Sequence, residues 1–375
     1  MEREIIGVYQ FTHPGSEHKV KYKMSGTDLY FKEWNYRFKR TSKGFKTNNH
    51  HRKYMRAKTS YLHNGDLYKG MADFWGEWEP NSIASLLNEK PNEFFPKYVH
   101  YPVYIENSEY APCNDGLTQS IIDVKREDYL NENVPEIHSF IHPNEKPPLD
   151  SLNNSNLQNT DPFIFGDNFY YTCCKQHETQ HLKEGSVILF GTCYRSKKVF
   201  EIDTVFVISK IIPYDKDVLK ETLYHFKTSR NKSERLYYDV VLKQVFRRHD
   251  SSIAYFNDKK YQFDIIIGAT YNNPYNGMYS YFFCNPSNST GMPKLRIEDN
   301  SDIFNMLDDQ SDHGFGLTLS THGKNIIVNN KTKTYNMWDT IKRYAEYKGY
   351  CLGVEVEIPP ILSPYEIKDY LKEIY

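Results

Sequence analysis

No stretch of the 375-residue chain approaches the roughly 18 consecutive apolar residues that a membrane-spanning helix needs. Its opening, MEREIIGVYQ, lacks a positively charged segment followed by an apolar one, so a soluble, cytoplasmic protein without a membrane partner is expected. Cysteine is scarce: six residues, at Cys113, Cys173, Cys174, Cys193, Cys284 and Cys351, with no C-x-x-C pair. That excludes a disulfide framework and a zinc-ribbon pattern. The sequence also lacks G-x-x-x-x-G-K-[ST], G-x-G-x-x-G and G-x-S-x-G. These absences argue against a P-loop NTPase, a typical dinucleotide enzyme and an α/β-hydrolase. Net charge is −1, so no global field draws the chain to nucleic acid or membrane.

Aromatic residues are abundant. The chain has 32 Tyr and 22 Phe, while hydrophobic residues make up only 39%. Rings with polar tips therefore carry part of the apolar load, and these suit half-wet pockets and stacking platforms as well as cores. An AT-rich genome enriches the same residue types.

The densest strand signal lies in residues 161–208. Residues 187–190 form an apolar run between Gly185 and Gly191, and residues 205–208 form a second. Residues 195–198 supply a polar turn between them, so two buried, hairpin-joined strands are predicted. Further strands are read near the start of the chain, breaking at 12–15, and at 263–268, 279–283 and 352–358. Helical segments are expected at 215–225 and 227–248. Met337, Ile341 and Tyr344 line one face of an amphipathic helix ending near Gly349, and a short helix closes the chain from Pro364. The fold class is α+β and β-rich. Residues 105–160, rich in Asn, Pro and Glu, read as a linker or long excursion. The resulting division is an N-terminal region 1–150, a central domain 151–290 and a C-terminal α/β extension 291–375.

Charge is segregated along the N-terminal region. Residues 19–58 hold thirteen Lys or Arg against two acids, with eight aromatic rings interleaved, whereas residues 64–150 are as strongly acidic. Bases that neutralise phosphates beside rings that stack on nucleobases give a nucleic-acid signal, and Arg52 and Lys53 are its candidate phosphate contacts. Docking of the two oppositely charged segments is the alternative. His13, Glu17 and His18 fall close together on a polar loop and could share acid/base work, contact substrate or hold a metal; the spacing is not the helical H-E-x-x-H, which Pro14-Gly15 forbids, so no metal site is assigned. In the extended stretch FWGEWEP, Trp75, Glu77 and Glu79 point one way, and Gly76 and Trp78 the other. A Trp wall beside a carboxylate makes a base pocket, or else the indoles plug a core. Asn273, in the polar loop TYNNPYNGM, could read a base edge or simply belong to a turn.

Several short motifs carry a family resemblance. These are Pro162-Phe163 with Gly166, Cys174-Lys175, Gly185-Ser186-Val187-Ile188 with Gly191-Thr192, and the run from Val205 to Ile208. Together they resemble the nucleotide-modification-associated domain families, whose fold is PUA-like and related to the ASCH and EVE branches. Ser186 replaces the usual Asp, and Gln176 stands where Pro is common. The resemblance covers about fifty residues closely; residues 1–150 and the C-terminal extension lie outside it. It implies a small, partly open β-barrel with N- and C-terminal elaborations, whose pocket accepts a nucleobase, often modified, in DNA or RNA. It also implies a setting in bacterial genome (antiviral) defence or nucleotide-modification systems, with partner proteins from them.

Three function classes follow. The first is a reader of nucleic acid or of a modified nucleotide, with Trp75, Glu77, Trp78, Cys174, Gln176 and Asn273 at the base and Arg52 and Lys53 at phosphates. The second is a nucleotide- or nucleic-acid-processing enzyme using His13, Glu17, His18 and Lys175, the lysine gaining nucleophilicity if desolvated. The third is a protein-interaction scaffold. The cofactor is left open.

Overall fold

The computed structural model describes residues 6–14, 39–41, 44–46, 53–78, 82–86, 98–105, 136–138, 162–172, 179, 181–194, 198–215, 218–242, 264–286, 293–319, 323–362 and 366. The N-terminal strands are β1 (Val8–Pro14), β2 (Lys39–Thr41), β3 (Gly44–Lys46), β4 (Lys53–His63), β5 (Asp66–Gly76), β6 (Ser82–Leu86), β7 (Tyr98–Pro102), β8 (Tyr104–Ile105) and β9 (Glu136–His138). They are followed by β10 (Tyr170–Tyr171), β11 (Val187–Tyr194), β12 (Val199–Ile212), β13 (Ile265–Gly268), β14 (Tyr281–Pro286), β15 (Leu295–Glu298), β16 (Lys324–Ile327), β17 (Cys351–Val356) and β18 (Ile361–Leu362). The helices are α1 (Leu219–Thr228), α2 (Lys232–Tyr237) with a π-helical continuation over Tyr238–Leu242, α3 (Asp302–Gln310) and α4 (Lys331–Tyr347). The chain is thus β-rich and α+β. Among the described residues, no helix is long and apolar enough to cross a membrane.

Among the described residues, fourteen strands form one mixed sheet, and β12 is its hub. β12 pairs antiparallel with β11, as the two central apolar runs predict, and also with β13, β14 and β15. β1 lies parallel to β11 and ends at Pro14, within the break read at 12–15, so His13 belongs to the strand rather than to the loop. Pro14 is the last residue of the strand, where a missing N–H interrupts nothing further along. Strands from all three sequence segments share the sheet. β14, β17, β4 and β5 pair in a closed ring of four, which does not make the whole sheet a barrel.

Two apolar clusters pack on opposite sides of the hub. One holds Phe190, Phe206 and Ile208 with the aromatic segment around Phe163–Tyr171 and helices α1 and α2. The other holds Leu189, Val205 and Val207 with Ile303 and Leu307 of α3 and Met337, Trp338 and Ile341 of α4. The α4 face is the amphipathic stripe read from the sequence, and Asn330 caps that helix by accepting from Lys333 N at 2.9 Å.

The register between β11 and β12 steps from Phe190↔Thr204 to Gly191↔Ile202, so Asp203 is skipped. This bulge reverses the alternation along β12: Phe200 and Ile202 join the same cluster as Val205 and Val207. Glu201 is thereby sent to the opposite face. Gly191 is required beside the bulge, since a Cβ there would lie 2.3 Å from the Glu201 carbonyl oxygen.

Candidate functional site

The re-aimed Glu201 anchors an ionic cluster inside the protein. β15 pairs with β12 so that Arg296 stands opposite Glu201, and Lys294 just precedes that strand. The Lys294 ammonium is paired with Glu201 Oε2, and Arg296 Nη1 reaches Oε1 at 3.2 Å. Burial pushes the Lys294 pKa below its ordinary value, with Glu201 and Asp203 opposing the shift. Its Nζ also lies 5.7 Å from the centroid of the Trp75 ring, within cation–π range. Trp75 meets Tyr54 edge-on at 5.4 Å, and Arg56 grips Asp73 with two hydrogen bonds of 2.7 and 2.9 Å. The hydrogen bond to Asp73 holds the Arg56 guanidinium above its ordinary pKa.

This cluster connects to β1. In the ladder, His13 pairs with Thr192, Thr192 with Glu201, and Glu201 with Arg296, one row across four strands. Directly paired residues share a sheet face, so this row collects a histidine position, a hydroxyl, a carboxylate and a guanidinium. Interior charges of this kind cost desolvation energy that a well-packed apolar core would avoid, and they concentrate at functional sites.

A second site lies on the surface, in the loop between β13 and β14. Thr270 and Asn273 exchange backbone hydrogen bonds of 3.2 and 3.1 Å, and Asn273 N also donates to Thr270 Oγ1 at 3.1 Å. Tyr275 and Met278 close a two-residue turn in which Asn276 and Gly277 adopt φ of 49° and 81°, the left-handed region that Asn-Gly tolerates. The loop is thus pinned to the sheet. Outward it presents Tyr271, Asn272, Asn273, Pro274 and Asn276, all exposed. The Tyr271 ring stands perpendicular to Tyr279 at 5.3 Å, and Tyr279 packs on Trp338, whose Nε1 donates to the Tyr279 carbonyl at 3.0 Å. Tyr335 of α4, 41% exposed, borders the turn at Gly277. Residues 268–286 contain no charged side chain. Two solvent-facing rings among three amides form a neutral surface that can stack on a flat ligand and exchange hydrogen bonds along its edge.

No family model matches the chain, and neither does any curated protein or solved structure. The sites therefore rest on their own geometry.

Of the residues singled out in the sequence, Trp75, Glu77 and Trp78 are interior, at 1%, 1% and 0% exposure. The two indoles do point to opposite sides: Trp75 packs with Tyr54 and Val99, and Trp78 packs on Phe165 at 4.7 Å. A base could stack on either ring only if the interior opened. Asn273 is on the surface loop. His13 and Lys53 are described only by their strand positions. Glu17, His18, Arg52, Cys174, Lys175 and Gln176 lie outside the described residues. The structure adds Glu201, Asp203, Lys294, Arg296, Tyr271 and Tyr335. The pair Glu201 and Asp203 was visible as two acids interrupting the strand VFEIDTVFVI. Among the described residues, no group of three His, Cys, Asp or Glu side chains could hold a metal.

Proposed function

We propose that this protein recognises nucleic acid or a modified nucleotide, with Tyr271, Asn273 and Tyr335 receiving the base. The observation that carries the reading is the exposed, uncharged ring-and-amide surface on a hydrogen-bonded loop. Rings stack on any base, and amides both donate and accept, as a base edge requires. In this reading the central strands β11, β12, β13 and β14 belong to a PUA-like, partly open barrel. The basic residues 19–58 supply the phosphate contacts that the loop lacks, in a cytoplasmic protein of a bacterial genome-defence or nucleotide-modification system.

The test is fluorescence anisotropy with single-stranded DNA, single-stranded RNA and modified nucleotides at low salt. Removal of a stacking ring costs about 1–3 kcal/mol, so Tyr271→Ala weakens binding by about five- to 150-fold. Asn273→Ala costs about 1 kcal/mol, roughly fivefold. Asn273 is exposed, and Tyr271 makes its ring contact with Tyr279 at the surface, so circular dichroism of both variants accompanies the titrations. Binding unaltered in Tyr271→Ala, or no binding by the native chain, refutes the reading.

A second reading, a nucleic-acid-processing enzyme, is favoured by the cross-sheet row of His13, Thr192, Glu201 and Arg296 beside Lys294. It requires turnover of an oligonucleotide that is lost in His13→Ala while binding is retained. Binding without turnover rules it out.

A further inference from the structure

β4 and β5 form a long hairpin, and near its turn β4 is covered by β17, which pairs with Thr59–Leu62, while among the described residues the outer edge of β5 is not. Its turn, Asn64-Gly65, has φ of 52° and 87°, which fixes the register from His63↔Asp66 to Lys53↔Gly76. The ring of Tyr61 stacks on Tyr68 at 5.9 Å with an interplanar angle of 20°. β14 pairs with β5 only at Ala72, Asp73 and Phe74. From Asp66 to Met71 the outer edge of β5 has no strand partner among the described residues. Along that edge Leu67, Tyr68 and Met71 are 48%, 45% and 37% exposed.

Exposed strand edges are templates for another strand, and proteins guard them with lysine, proline, bulges or a cover. Here the only such feature among residues 66–71 is Lys69. It alternates with Leu67 and Met71 on one face of the strand, and it makes no ion pair among the described residues. A second copy of the same edge is a poor occupant. Two-fold antiparallel pairing that sets Leu67 against the partner's Met71 also sets Lys69 against its own copy, and directly opposed like charges repel. An acid at that position converts the repulsion into attraction and leaves the apolar pairs intact.

We propose that the outer edge of β5 docks an extended peptide by strand addition, with an acidic residue opposite Lys69 and apolar residues opposite Leu67 and Met71. Main-chain hydrogen bonds supply affinity, and the alternating side chains supply selectivity. This surface is separate from the loop of Tyr271 and does not depend on the nucleic-acid reading.

The probe is a labelled, end-capped peptide of sequence Thr-Val-Thr-Glu-Thr-Val-Thr, with Lys in place of Glu as the control. Binding is read by anisotropy, and amide hydrogen exchange is followed over residues 66–71. The expected result is binding of the Glu peptide about tenfold tighter than the Lys peptide, equivalent to about 1.4 kcal/mol, with slowed exchange at that edge. Lys69→Glu is exposed and reverses the preference. Three results overturn the proposal: no saturable binding, equal binding of both peptides, or an unchanged preference in Lys69→Glu. Self-association of Lys69→Ala, read by sedimentation, also overturns it, because Lys69 would then act only as a guard against pairing between copies.

Discussion

Lys294→Met isolates what the interior ion pair contributes, since methionine keeps much of the side-chain volume and removes the charge. The Lys294 side chain is 6% exposed and that of Glu201 is 2% exposed, so each carries its charge almost out of water. Breaking a buried pair from one side costs about 3–5 kcal/mol, because the remaining ion keeps its desolvation cost. Glu201 retains Arg296 at 3.2 Å, which places the expected loss at the lower end, about 3 kcal/mol. Glu201→Gln should cost a similar amount. It removes the counter-charge of Lys294, while Arg296 keeps Glu298 at 2.5 Å. The double variant Lys294→Met/Glu201→Gln removes the pair together. Its cost should match that of one single variant, a coupling of about 2–3 kcal/mol.

The assay is urea unfolding followed by tryptophan fluorescence and near-ultraviolet circular dichroism, whose coincidence checks that one transition is observed. Trp75 lies beneath the Lys294 ammonium and reports locally. The pH dependence supplies an independent sign. Burial lowers the folded-state pKa of Lys294, so between that value and the ordinary lysine value near 10.4 the unfolded chain binds more protons. Stability therefore rises with pH on approaching the alkaline end of that window, and Lys294→Met lacks this contribution. A Lys294→Met variant within about 0.5 kcal/mol of the native protein, or single-variant costs that simply add, would refute the argument.

Three other outcomes follow from local geometry. Gly353→Ala places a Cβ 2.2 Å from a carbon of the Phe282 ring inside the four-stranded ring of strands, so a cost of about 1–3 kcal/mol is expected in the same urea titration. Asp312 accepts from Lys333 Nζ at 2.5 Å and Val328 N at 3.1 Å, and the lysine contact holds its pKa below the ordinary carboxylate value. Its contribution is complete above the unfolded value near 4 and disappears as pH falls through the folded one, so Asp312→Asn flattens the acid limb of a stability–pH curve. Burial pushes the Cys351 thiol up to about 11, so at pH 8 a soluble disulfide reagent should react with the native chain at the same rate in Cys351→Ser.

The sheet core was legible because it is written locally. The runs at 187–190 and 205–208 are apolar, β-branched and bounded by glycine or a polar turn, and they became β11 and β12 in the pairing expected. The helix through Met337 and Ile341 was legible for the same reason, its stripe repeating at helical spacing. β1 ends within the break read at 12–15, but His13 was placed on the loop because His13-Pro14-Gly15 reads as a turn, while the parallel ladder with β11 holds His13 and Pro14 in the strand. Tertiary pairing overrode a local turn signal.

The ionic cluster was hidden for a different reason. Glu201 and Lys294 are 93 positions apart, and only the β12–β15 ladder makes them neighbours. The bulge that turns Glu201 inward depends on one residue, Asp203, being skipped in a strand that otherwise reads as continuous alternation. Trp75 shows how these two facts alter a functional inference. Read in sequence, it is an indole beside carboxylates and invites a stacked base. In the fold, one cation of the bulge-directed cluster already lies over its ring, and its exposure is 1%. The same stacking chemistry stays available in the loop after β13, because Tyr271 stands on Tyr279 and is itself 37% exposed. Aromatic content identified the kind of contact the chain can make, and burial decides which ring can make it.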